Sequence, residues 1–168
     1  STFQDAFISF LPYSGGVARR LSSGMAIDSQ PVFSPDGTTI LFLSDRSGAE
    51  NLWLMDAGGS HPRQISFYDD NPSFTSPEWS PDGDRILVSR FWPDRNAYEL
   101  WQFRPVPGDM GEVLRSNASD HPGQDGSLNT LGARFSEDGQ IYAASLSGDP
   151  SFDEVSAWDI VRLDPATG

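Results

Sequence analysis

One short phrase constrains this chain more than any other. Ser-Pro-Asp-Gly at 34–37 returns at 80–83 and again, as Ser-Glu-Asp-Gly, at 136–139. Proline presets φ at the second position of a tight turn, aspartate tolerates the third, and glycine accepts a positive φ at the exit. Each turn is preceded by an aromatic residue, Phe33, Trp79 or Phe135. Each is followed by a short apolar run, Ile40 to Leu43, Ile86 to Val88 or Ile141 to Ala144. Such runs, flanked by turn signals, are too short for stable helices and read as strands.

Two further phrases recur in the same order. Asn51-Leu52-Trp53 is echoed by Glu99-Leu100-Trp101 and Asp159-Ile160-Val161, and Arg63-Gln64-Ile65-Ser66 echoes Arg19-Arg20-Leu21-Ser22. Four-strand units of about 40 to 50 residues are the signature of a β-propeller. The expected fold is all-β, an incomplete β-propeller of four-stranded antiparallel blades, about three of them visible. Residues 1–22 read as the end of a first blade, 30–66 and 77–116 as full blades, and 131–168 as a partial blade. Ser23 to Ser29 and Phe67 to Ser76 read as crossings between blades, and the polar stretches Ser116 to Asn129 and Ser147 to Ala157 as long connections. Propellers typically need about 4 to 8 blades to close, so the chain is not expected to close a ring alone. It opens on a third strand and stops after one, which suggests a segment of a longer polypeptide.

Composition then limits partners and chemistry. The formal charge of −13, from 11 Lys and Arg against 24 Asp and Glu, argues against nucleic acid, which needs a basic surface. No long apolar run points to membrane insertion. The chain has no cysteine, hence neither disulfide nor thiolate chemistry. No G-x-S-x-G, G-x-G-x-x-G or P-loop appears, so no catalytic or cofactor-binding residue is assigned.

His61 and His121, each followed by proline, read as turn residues rather than metal ligands. Asp69-Asp70-Asn71 and the run Asp149 to Glu154 lack a twelve-residue calcium-loop pattern and read as solvated loops. Pro35, Asp36, Gly37, Pro81, Asp82, Gly83, Asp138 and Gly139 are assigned to turn geometry, and Asp45-Arg46 to bracing a turn. Glu78 and Arg134 each stand just before the turn aromatic, on the innermost strand of successive blades. They are expected to face one another near the channel; the alternative leaves both separately solvated.

The phrases F-S-P-D-G, S-D-R-S-G, N-L-W-L-M-D-A-G-G and P-R-Q-I-S resemble the TolB-type β-propeller repeat, over nearly the whole chain. The third unit departs from it, with Glu137 in place of proline. That repeat occurs in TolB, in tricorn-type proteases, in prolyl-oligopeptidase relatives, and ahead of the catalytic domain of some metal-dependent amidohydrolases. The stretch from Asp69 to Trp101 looks most like the last group. The resemblance implies a non-catalytic scaffold or access-restricting module, part of a periplasmic or secreted hydrolase. Any divalent metal would then lie in a separate catalytic domain, with no cofactor in this segment. Its partners would be the rest of its own polypeptide or another copy of the chain, and a protein or peptide. A TolB-like protein-binding propeller and a serine-peptidase propeller are the alternatives.

Overall fold

The computed structural model describes residues 6–70, 72–93, 97–115, 129–147 and 157–165. Asn71, residues 116–128 with His121, and residues 148–156 with the acidic run at 149–154 lie outside the described residues. Thirteen strands and no helix are present among those described. Strands β1 (Ser9–Phe10) and β2 (Arg19–Arg20) form a two-stranded sheet. β3 (Asp28–Phe33), β4 (Thr39–Ser44), β5 (Asn51–Asp56) and β6 (Arg63–Gln64) form the first four-stranded sheet, in chain order. β7 (Ser73–Trp79), β8 (Ile86–Trp92), β9 (Ala97–Phe103) and β10 (Glu112–Arg115) form the second. β11 (Asn129–Phe135), β12 (Ile141–Ser147) and β13 (Ala157–Leu163) form a three-stranded third. Every strand-to-strand pairing is antiparallel. This is a partial propeller of antiparallel blades.

The innermost strands begin earlier than the sequence reading has them. β3 starts at Asp28 and β7 at Ser73, inside the stretches read as crossings. The reason is a bulge repeated in each unit. Ser29 pairs with Leu43 and Val32 with Leu41, so Gln30 and Pro31 together oppose one residue. Ser76-Pro77 and Gly132-Ala133 do the same in the next two sheets. The first residue of each bulge has positive φ, 50° at Gln30, 55° at Ser76 and 67° at Gly132. A bulge leaves a residue outside the ladder, so Pro31 and Pro77 sit where a missing N–H breaks no pairing. Reading those prolines as strand starts cut each strand short.

The sheets stack face to face, and alternation along the middle strands decides which neighbour each side chain meets. From β4, Ile40 and Phe42 pack with Ile8, Leu21 and Met55 toward β1 and β2. Leu41 and Leu43 point the other way, into a cluster with Phe74, Trp79, Val88 and Phe103 of the second sheet. Leu87 and Leu100 continue toward Ala133, Ile141 and Ala143 of the third. This accounts for the unbroken apolar run in β4: both of its faces are interior. At the two ends of the stack the cover stops. Phe33 is 47 % exposed where its counterpart Trp79 is 7 %, and on the last sheet Ile160 is 77 % exposed.

Candidate functional site

The three Asp-Gly turns share one geometry. Gly37, Gly83 and Gly139 have φ of 70°, 77° and 79°, and their amides donate to the carbonyls of Ser34, Ser80 and Ser136 at 2.8, 2.9 and 2.9 Å. Each serine hydroxyl donates to the aspartate two residues on, at 2.6 Å to Asp36 and 2.5 Å to Asp82 and Asp138. The backbone amides of Thr38 and Asp84 add to the first two at 3.0 and 3.1 Å. These donors, the serine hydroxyl first, hold all three carboxyls below the usual aspartate range. Their oxygens are committed to the turn. Pro35 and Pro81 occupy the second turn position, and the third turn keeps the geometry with Glu137 there.

Glu78 on β7 and Arg134 on β11 are brought together. Arg134 Nε stands 3.6 Å from Glu78 Oε2. Burial raises the Glu78 carboxyl, with Arg134 opposing the rise. The Arg134 side chain is more than half exposed, and it also donates to the Ala133 carbonyl at 3.0 Å. A cavity of 280 Å³ opens beside the pair, with Val32, Phe33, Phe135 and Glu137 in its wall.

The bulges carry an inter-blade contact that the sequence reading missed. Gln30 Oε1 accepts from the Ser76 amide at 2.8 Å, crossing from the first full sheet to the second. Gly132, the equivalent of Ser76, donates to Ser89 Oγ at 3.2 Å in the same sense. The bulged amides of Ser76 and Gly132 are thus satisfied by the preceding blade rather than by their own ladder. The recurrent residue-proline pair four positions before the turn serine, Gln30-Pro31 and Ser76-Pro77, was the signal available.

At the opposite end of the strands, each of the first two full sheets closes its core with an arginine stacked on the tryptophan of its third strand. The Arg46 guanidinium lies 5.1 Å from the Trp53 ring centre, and that of Arg90 lies 5.1 Å from Trp101. Arg46 pairs with Asp28 at 2.7 Å, and Asp45 accepts from the Ile27 amide at 2.8 Å. Both residues tie the second turn to the start of β3. Arg90 pairs with Asp70 at 2.6 Å. Asp70 lies on the exposed connection that the sequence reads as a solvated loop, and from there it pairs with Arg90. Glu99, buried opposite Arg90, accepts from the indoles of Trp92 and Trp101 at 2.8 and 3.0 Å.

No group of three or more His, Cys, Asp or Glu among the described residues is placed to hold a metal ion. His61 is a surface residue 2.6 Å from the Asp56 carboxylate, and this contact is the main cause that lowers the Asp56 carboxyl. Among the described residues no helix is long and apolar enough to cross a membrane.

Four-stranded antiparallel sheets stacked side by side, with a repeated turn and a repeated bulge, define a β-propeller of the TolB class. The TolB beta propeller domain family matches residues 5–123, and the chain belongs to it. An uncharacterised peptidase, YuxL of Bacillus subtilis (strain 168), is 30 % identical over 139 residues, covering 77 % of this chain and 21 % of that protein. The structure of a putative TolB from Agrobacterium tumefaciens aligns with a TM-score of 0.64 at 18 % identity, over 94 % of this chain and 51 % of that one. The propeller domain of the trilobed protease from Pyrococcus furiosus aligns with a TM-score of 0.56 at 17 % identity, over 94 % and 46 %. The chain thus spans between about a fifth and a half of these relatives.

Proposed function

We propose that this chain is the non-catalytic propeller portion of a hydrolase of the peptidase kind. It would act as a scaffold that packs on a catalytic domain of the same polypeptide and restricts access to it. The observation that carries this reading is the likeness to the YuxL peptidase, which extends over most of this chain but occupies only a fifth of that protein. The protease propeller from Pyrococcus furiosus supports the fold side of it. The amidohydrolase reading of the Asp69 to Trp101 stretch has no such relative among those named above. On that reading a divalent metal would lie in a separate catalytic domain. We place the protein in the periplasm or outside the cell, on the TolB likeness.

The test is labelling of the intact protein with a fluorophosphonate serine probe, followed by mapping of the labelled peptide. Label on a G-x-S-x-G serine outside residues 1–168 is expected. Label within this segment, or peptide hydrolysis by this segment alone, would overturn the reading. A second reading, a TolB-like protein-binding propeller, rests on the alignment with the Agrobacterium structure. It gains if the intact protein takes no label and carries no catalytic domain.

A further inference from the structure

The two arginine pairs differ in a way that points to a ligand. Arg46 has acceptors on two of its nitrogens: Nε donates to Ser44 Oγ at 3.0 Å, and one terminal nitrogen reaches both Asp28 oxygens at 2.7 Å. Its partner is fixed on β3 and 2 % exposed. Arg90 is more deeply buried, with its side chain 5 % exposed, yet it is less satisfied. One terminal nitrogen reaches one oxygen of Asp70, and Nε is buried with no hydrogen-bond acceptor. Leaving a buried charged donor unmet is costly, and carboxylates are the acceptors that best match a guanidinium fork. Asp70 sits on the connection between β6 and β7 rather than on a strand, and its side chain is 52 % exposed.

Around Arg90 stand three rings, with centres 4.8, 4.2 and 5.1 Å from the guanidinium at Tyr68, Trp92 and Trp101. The Tyr68 hydroxyl donates to the Met110 carbonyl, which brings the second sheet's outer turn to the same place. The side chains of Met110 and of Phe67, next to Tyr68, are both more than half exposed. A buried guanidinium whose Nε lacks an acceptor, with aromatic walls that Glu99 holds by their indoles from the strand opposite and an exposed apolar rim, is suited to an apolar residue that bears a carboxylate.

We propose that Arg90 with Tyr68, Trp92 and Trp101 forms a binding site for the C-terminal carboxylate of a peptide ending in an apolar residue. Asp70 holds the anion's place in the free protein. The ligand carboxylate displaces Asp70 into solvent and engages the guanidinium through the terminal nitrogen that Asp70 vacates and through Nε, which has no acceptor in the free protein. The site does not depend on which catalytic domain, if any, accompanies the propeller. Its readout is separate from serine labelling, so the two can fail independently.

The experiment follows tryptophan fluorescence of the intact protein while N-acetyl-Ala-Ala-Phe is added, first with a free C-terminal carboxylate and then as the amide. The acid is expected to bind at least about tenfold more tightly than the amide, the range for a buried, hydrogen-bonded charge pair. Asp70→Asn removes the internal competitor and is expected to tighten the acid alone. Arg90→Lys keeps the charge but loses the fork, and is expected to erase most of the preference. Equal binding of acid and amide would overturn the proposal. So would an absence of binding in both the parent protein and Asp70→Asn. Because Asp70 is exposed and off the strands, that variant decides the matter even if Arg90→Lys fails to fold.

Discussion

The first full sheet and the last sheet are written in the same phrases, yet they differ in what covers them. In the first, Leu41 and Leu52 are completely buried. Their register equivalents in the last, Tyr142 and Ile160, are 40 % and 77 % exposed. The strand pairings are the same, Leu43 with Leu52 in one and Ala144 with Ile160 in the other. What differs is the neighbour. A blade's own hydrogen bonds make a sheet, but only an adjoining blade makes a core, so apolar side chains count for stability according to position in the stack.

The sharpest way to break this comparison is to truncate both ends of it. Leu41→Ala is expected to destabilise the protein by about 3 to 5 kcal/mol, the range for a fully buried leucine. Ile160→Ala should cost about 0.5 kcal/mol or less in this chain alone, as for surface changes away from packed features. The two are measured by urea unfolding. In the intact protein Ile160→Ala becomes the diagnostic one. A cost there of about 2 kcal/mol or more would mean that another blade covers this face. An unchanged small cost would show the face to be free and weaken the scaffold reading.

Glycines sharpen the comparison at the joints. Gly59 and Gly139 both have positive φ, 90° and 79°. A Cβ added at Gly139 would meet open space, whereas one at Gly59 would come within 2.5 Å of the Leu21 carbonyl oxygen on the preceding sheet. Gly139→Ala should therefore cost about 1 kcal/mol, the strain of a left-handed alanine alone. Gly59→Ala should exceed that by at least about 1 kcal/mol, because backbone of the neighbouring sheet must move as well. Equal melting-temperature losses for the two variants would show that the inter-sheet contact carries no weight.

How much of this could be read from sequence follows from where each determinant lies along the chain. The turns were legible because serine, aspartate and glycine within four residues make the bonds that close them, as the Ser34–Asp36 and Ser80–Asp82 bonds show. The Glu78–Arg134 pair could be foreseen because the repeat puts both at one register position. The bulges were hidden because a proline in an apolar run reads as a boundary, although Pro31 lies inside β3. The Asp70–Arg90 pair was hidden for another reason. Asp70 has no counterpart in the other units, so alignment of the repeats says nothing about it. Its partner lies 20 residues on, past the whole of β7.

The turn serines test how local that legibility is. Ser80→Ala removes the hydroxyl that donates to Asp82 and accepts from the Arg85 amide at 2.9 Å. A loss of about 1 kcal/mol is expected, the usual worth of such a bond. Ser136→Ala should lose less, since its bond to Asp138 is exposed to solvent, where the Ser80–Asp82 bond is partly buried. If Ser136→Ala cost as much as Ser80→Ala in urea unfolding, turn strength would be independent of the surrounding blade.

The smallest effect separates the turns from the Glu78–Arg134 pair by the sign of a pH response. Asp82 is lowered from its ordinary 3.8, so the folded state binds its proton less readily than the unfolded chain. Its contribution is present above pH 3.8 and is lost as pH falls through the lower folded value. Glu78 is raised from 4.5, chiefly by burial. For a carboxyl shifted up, the folded state holds the proton more firmly, so stability declines as pH rises from 4.5 through the folded value. Glu78→Gln should flatten that decline and leave the acid limb below 3.8 unchanged, while Asp82→Asn should do the reverse. Urea midpoints measured in steps from pH 3 to pH 7 decide it. If Glu78→Gln instead steepened the decline, the Arg134 ion pair would outweigh the burial of Glu78, and the second and third sheets would be held together more tightly than a 3.6 Å contact beside an exposed arginine implies.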